Sequence, residues 1–138
     1  MLSSLFSMEM LFKNARNLMG NEIVFFGTFF EDKMIAGQIR LYYKDLAYAW
    51  YAGSDSDYFN KRPNDFLMWN VILWSKEKNH RTFDFGGAGT PNVPYGVRDY
   101  KLKFGGELVN YGRYEIVHKK VLMIIGENAY KLWRKFKK

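Results

Sequence analysis

Cysteine is absent from all 138 residues, which excludes disulfides, a thiol nucleophile and thiolate-held metals. Histidine is nearly absent, since His80 and His118 are the only two, too few for a typical histidine cluster; no metal site is expected. No stretch reaches the ~18 uninterrupted apolar residues that span a bilayer. The amino-terminal segment places Glu9 and Lys13 where a signal peptide needs an apolar centre, so a cytoplasmic location is expected. Internal repeats, low-complexity tracts and linkers are also missing. A single domain over residues 1–138 follows as the expectation.

Apolar and aromatic side chains are abundant. Hydrophobic residues make up 48% of the chain and aromatics 19%, enough to bury a core instead of remaining disordered. The formal net charge of +7 implies an acidic partner such as tRNA, a nucleotide-bearing precursor or an anionic membrane surface. Five of those charges, Lys131, Arg134, Lys135, Lys137 and Lys138, crowd the last eight residues. Tyr130, Trp133 and Phe136 recur among them at every third position. Such a segment suits a helix that docks its aromatic face and solvates its basic face. It also suits a nucleic-acid or membrane contact, and both readings stand.

Leu5, Met8, Phe12, Ala15 and Met19 have helical spacing, with Ser4 as cap and Gly20 as terminator, so a helix is expected from Ser4 to Met19. Ile23 to Phe30 is rich in aromatic and branched residues. Beyond the turn at Glu31-Asp32-Lys33, Met34 to Tyr43 alternates Gln38, Arg40 and Tyr42 with Ile39, Leu41 and Tyr43, which predicts a hairpin. Leu46 to Ala52 supplies a third strand of an antiparallel meander, and Gly53 to Asp57 a polar loop. Pro63 suits the first turn of a helix, where Asp65 complements the positive end; Lys76 and Lys78 complement the negative end. Phe66 to Trp74 is apolar except for Asn70, which predicts a central helix packed on the sheet and covered on its other side. Arg81 to Phe85 reads as a fourth strand, Gly96 to Phe104 as a short helix or turn, and Glu107 to His118 as a strand pair broken near Tyr111-Gly112.

Two aromatic and glycine blocks stand out as a site. Phe83-Asp84-Phe85-Gly86-Gly87 reads as a buried strand running into a glycine turn. Tyr100-Lys101-Leu102-Lys103-Phe104-Gly105-Gly106 sets a lysine beside an aromatic just ahead of another glycine turn. Glycine pairs let a backbone approach a ligand closely.

The element order is that of the later part of a GNAT acyltransferase fold. The run from Pro63 through Gly106 resembles the carboxy-terminal GNAT-like domain of the Fem family, the peptidoglycan-bridge aminoacyltransferases and their acyltransferase relatives. The residues that carry the resemblance are Trp69, Phe83 to Gly87, Tyr100-Lys101 and Phe104-Gly105-Gly106, and it extends over roughly residues 20–114. It implies an α+β fold: a mostly antiparallel mixed sheet with a central buried helix, here lacking the first strand and helix of a complete domain. Members of the family are more than twice as long and carry two such domains. The chain is therefore expected to be a fragment, a truncated paralogue or a subunit that completes its sheet through a second copy or a partner.

The resemblance implies acyl or aminoacyl transfer to an amine acceptor from acyl-CoA or aminoacyl-tRNA. Lys101 would stabilise the oxyanion and Tyr100 would pack the lysine stem or the substrate. Gly86, Gly87, Gly105 and Gly106 would keep the walls thin, with Phe104 beside them. Asp84 is the candidate general base, or alternatively a hydrogen-bond partner for the following glycine turn. Arg98 is a candidate for holding a phosphate or carboxylate, or for pairing with Asp99. Tyr51 and Ser54, where the third strand ends, are placed to face the acceptor. His118 has no partner motif and reads as a surface or half-buried residue. The glycine-rich turn with which common GNAT enzymes hold the CoA pyrophosphate is missing between Tyr51 and Pro63. A non-catalytic or tRNA-binding interaction domain, pairing through an open sheet edge, is the alternative.

Overall fold

The computed structural model describes residues 2–112, 114 and 116–136, with side chains described from residue 8 onward. They divide into two compact units, Met1–Glu107 and Leu108–Lys138. The first unit runs α1 (Leu2–Met19), β1 (Ile23–Phe30), β2 (Lys33–Tyr43), β3 (Leu46–Ser54), α2 (Pro63–Glu77), β4 (Thr82–Asp84) and α3 (Gly96–Leu102). The strands form one sheet in the order β1-β2-β3-β4. Two tight turns with Glu31 and Lys44 in the left-handed region join β1, β2 and β3 into the expected antiparallel meander. The crossover through α2 brings β4 in parallel to β3, the connection a parallel pair requires.

Alternation along β2 decides what lies on each face of the sheet. Ala36 packs with Leu67 and Val71 of α2 in the core, flanked by Phe26 and Phe83. Fully burying a leucine or valine side chain contributes about 1.5–3 kcal/mol, so this cluster anchors α2 to the sheet. On the same face Tyr42 Oη lies 3.0 Å from Ser75 Oγ, and the Phe26 and Trp74 rings meet edge to face at 5.2 Å. On the opposite face Phe12 of α1 contacts Phe25, Trp50 and Tyr51.

Several expectations need correction. Ser4 lies inside α1, which begins at Leu2; Gly20 does follow its last residue, at φ +55°. The third strand continues to Ser54, and the fourth is shorter than expected, at Thr82–Asp84. Helix α2 buries Pro63, Leu67, Met68, Val71 and Ser75 but exposes Phe66, Trp69 and Leu73, where its apolar composition predicts cover.

No strand forms among the described residues from Glu107, the end of the first unit, to His118 in the second; Arg113 and Glu115 lie outside them. Asn110 Oδ1 instead accepts the Gly112 N–H at 3.0 Å, a local turn that competes with a strand ladder. Residues Lys120–Phe136 form α4, where the Tyr130 and Trp133 rings stack at 5.9 Å. Lys137 and Lys138 lie outside the described residues.

Candidate functional site

Strands β3 and β4 pair over only three residues, Leu46↔Thr82, Ala47↔Phe83 and Tyr48↔Asp84, and then part. Asp84 Oδ1 accepts the Gly86 N–H at 2.7 Å, closing an Asx turn that ends the strand. Gly86 sits at φ +71°, and a Cβ there would come within 3.1 Å of the Ala49 carbonyl oxygen; glycine is what lets this turn lie against β3. The unpaired edge of β3 and the diverging chain after β4 enclose a cavity of about 440 Å³. A bulge at Trp50 falls on this stretch, because Ile39 pairs with Tyr51 while Arg40 pairs with Ala49. The extra residue sets Trp50 and Tyr51 on the same side of the strand, and both reach Phe12.

Lys101 comes to the cavity from α3. Its Nζ donates to the Gly87 carbonyl at 2.7 Å, so the second glycine block holds the lysine over the first. Burial, and then the neighbouring Arg40 charge, lower its pKa from the ordinary lysine value, with Asp84 acting in the opposite direction. Tyr100 precedes it, its ring edge to face with Phe104 at 5.3 Å. Its buried hydroxyl faces Asp65, which acts on it as a charge and as a side-chain hydrogen-bond acceptor. Burial, with nearby Asp65 adding to it, pushes the phenol up to about 12, so it stays protonated at any physiological pH.

Arg40 lies beneath both. It is 1% exposed, its Nη2 donates to Gln38 Oε1 at 2.6 Å and to Met68 Sδ at 3.0 Å, and its guanidinium sits 4.6 Å from the Phe83 ring centre. Burial pulls its pKa down to about 10, leaving it cationic at neutral pH. Among the described residues, Arg40 and Lys101 are the cations of the lining and no aspartate or glutamate is part of it, while Asp65 and Asp84 act electrostatically on Tyr100 and Lys101.

Of the residues expected from sequence, Lys101, Tyr100, Gly86, Gly87, Tyr51 and Ser54 line this one cavity. Ser54 Oγ is engaged by Asn64 Nδ2 at 2.8 Å. Asp84, Arg98, Phe104 and Gly105 are not part of the lining. Asp84 is occupied by the glycine turn. Arg98 donates to the carbonyls of Thr90 and Val93, tying down the loop after β4, and the described residues hold no ion pair between it and Asp99. Phe104 backs Tyr100, and Gly105 is part of the turn after α3 at φ +82°. His118 belongs to the second unit. The residue that sequence reasoning missed is Arg40. Its signal was the alternation with Gln38 and Tyr42, which marks one polar face of β2. That face lies under α2, where a charge is costly, and not in solvent.

The model of the acetyltransferase (GNAT) domain family matches residues 4–102. No curated protein matches the chain. Two solved structures of the aminoglycoside acetyltransferase meta-AAC0020, from an uncultured soil metagenomic sample, resemble it in fold, one in complex with trehalose and one with sisomicin. Each superposes with a TM-score of 0.52 at 19% sequence identity, over 76% of this chain and 74% of the other. The α+β architecture, a mixed four-stranded sheet with flanking helices, is therefore GNAT-like. The family match spans α1 through α3 and takes in Arg40, Tyr100 and Lys101: the chain belongs to the acetyltransferase (GNAT) domain family.

Proposed function

We propose that the protein is an N-acyltransferase whose reaction takes place in the opening between β3 and β4. The observation that carries this reading is the lysine: Lys101 is half-buried, cationic and held by the Gly87 carbonyl on the wall of the cavity. An acceptor amine attacks the carbonyl carbon of a thioester or ester, the C–N bond forms, and the carbonyl electrons move onto oxygen. Lys101 stabilises that oxyanion, a contribution worth roughly two to three decades in rate. The oxyanion then collapses, the C–S or C–O bond breaks with its electron pair, and the leaving thiolate or alkoxide takes up a proton. Held at about 12, Tyr100 is a weaker acid than a thiol at about 8.5, so that proton comes from solvent. The proton lost by the amine passes to solvent. Asp84 accepts the Gly86 N–H and is not part of the cavity lining, which favours its role in the glycine turn over that of a general base.

Acyl-CoA is the donor this reading favours, since the unpaired edge of β3 offers backbone groups to an extended amide chain. The finer alternative, an aminoacyl-tRNA donor as in the Fem family, draws its support from the net charge of +7. An aminoglycoside acceptor is disfavoured, because aminoglycosides are polycationic and the cavity wall, among the described residues, carries two cations and no carboxylate. One observation supports a non-catalytic reading: β1 is an edge strand with Phe25 and Phe29 exposed, a surface fit for pairing with a second copy. The deciding experiment measures acyl transfer from acetyl-CoA, and separately from a charged tRNA, to a panel of amines. Transfer by the wild type and its loss in a folded Lys101→Ala variant supports the enzyme. No transfer from either donor, together with a stable dimer in sedimentation, makes it a pairing domain.

A further inference from the structure

Arg40 has no use in the acyl-transfer step as drawn, and its surroundings do not account for it as a structural residue. A buried cation costs several kcal/mol unless a counter-charge and hydrogen bonds compensate it. Among the described residues no carboxylate pairs with Arg40. Its neighbours are an amide oxygen, a thioether sulfur and an aromatic ring, which orient the guanidinium without neutralising it. Both Nε and Nη1 are buried and unpartnered, and Arg40 lines the cavity beside Tyr100 and Lys101. Two nitrogens of an oriented guanidinium thus have nothing to receive their N–H groups.

We propose that Arg40 is the binding subsite for a carboxylate carried by the substrate. This rests on the acyl-transfer reading for what happens next to the carboxylate, but not for its binding. A planar guanidinium matches a carboxylate in geometry, and the bond is charge-assisted. Charge balance favours a carboxylate over a phosphate: one negative charge offsets Arg40 and leaves the Lys101 charge for the oxyanion, whereas a phosphate dianion neutralises both. The substrate class is thus an amino-acid-like amine, with the carboxylate on the acceptor, or an acyl group that itself ends in a carboxylate.

The test uses stable amides that the protein does not turn over, titrated calorimetrically into the full chain. N-acetylglycine carries the carboxylate on the amine side, N-methylsuccinamate carries it on the acyl side, N-acetylglycine N-methylamide carries none, and inorganic phosphate is the competing oxyanion. At least one carboxylate should bind saturably and tenfold or more tighter than the neutral amide, and the tighter of the two assigns the source. Binding should move the Arg40 Nε–H resonance, be lost in Arg40→Met and return in part in Arg40→Lys. Equal binding of the neutral amide, an unmoved Arg40 resonance, tighter binding of phosphate or no binding at all each overturn the proposal. Should Arg40→Met not fold, the wild-type comparison and the resonance decide alone. Carboxylate binding without acyl transfer sinks only the enzyme reading, and transfer that is as fast when neither the amine nor the acyl group carries a carboxylate sinks only the carboxylate subsite.

Discussion

Lys101 titrates under the influence of Arg40, and the sign of that influence is measurable. The Lys101 pKa is lowered by burial first and by Arg40 second, so its cation is lost on the alkaline side earlier than that of a free lysine. The rate should therefore fall as pH rises through a value under the ordinary 10.5. Removing the neighbouring charge with Arg40→Met should move this alkaline limb upward, which a pH–rate profile of the two proteins checks; an unmoved limb disproves the coupling. Lys101→Ala should cost about two to three decades in kcat and leave the circular dichroism spectrum intact. Stability gives a second reading of Arg40. Burial holds its folded pKa at about 10, below the ordinary 12.5, so the folded state sheds its proton first. The full penalty is present below about 10 and is relieved as pH rises from about 10 toward 12.5. Arg40→Met should consequently melt no lower than the wild type at neutral pH and gain up to ~1–4 kcal/mol, as replacements of buried charges do. A loss of stability would show that Arg40 holds the fold together.

At the scale of elements, the glycine turn after β4 sets the separation of the two strands that enclose the cavity. Gly86→Ala places a methyl 3.1 Å from the Ala49 carbonyl oxygen at a residue with φ +71°, and backbone does not yield as a flexible side chain would. The cost should be about 1–3 kcal/mol of stability from the left-handed strain, with KM rising as β3 is pushed aside; a denaturant titration and steady-state kinetics check both. This block was legible in the sequence because Asp followed by Phe-Gly-Gly is a turn signal of fixed chemistry, and so were the meander and the crossover helix, which have strong periodicity and clear breaks. The strand pair expected over Glu107 to His118 was not, because alternating sequence gives a strand only where another edge is available to pair with it. The pairing of Arg98 with Asp99 failed for a related reason. Its sequence neighbours show a charge but not the carbonyls of Thr90 and Val93, which loop closure brings to it. The same limit hid Arg40: period-two alternation says which residues share a face and nothing about which face the next helix will cover.

For the whole molecule, two groups among the 21 basic residues behind the net charge of +7 have different meanings. Arg40 and Lys101 are confined to a cavity, where they act on a small anion at short range and are little screened by salt. Lys131, Arg134 and Lys135 belong to α4 in the second unit, where a polyanion would be met by many charges acting through released counterions. The two groups predict opposite behaviour for the two donors. Changing Lys131, Arg134 and Lys135 together to glutamine should leave acetyl-CoA affinity unchanged within twofold. If tRNA binds, the same change should flatten the slope of log affinity against log salt by about 0.7–0.9 for each phosphate that is no longer neutralised, so by roughly 2–3 in all. A tRNA affinity that survives the triple change with its slope intact, yet disappears in Arg40→Met, would place the recognised end of the tRNA in the cavity and make aminoacyl-tRNA the donor. A tRNA affinity that collapses with the triple change and ignores Arg40 is charge attraction alone, and it leaves acyl-CoA as the donor that the β3 edge and the cavity cations fit.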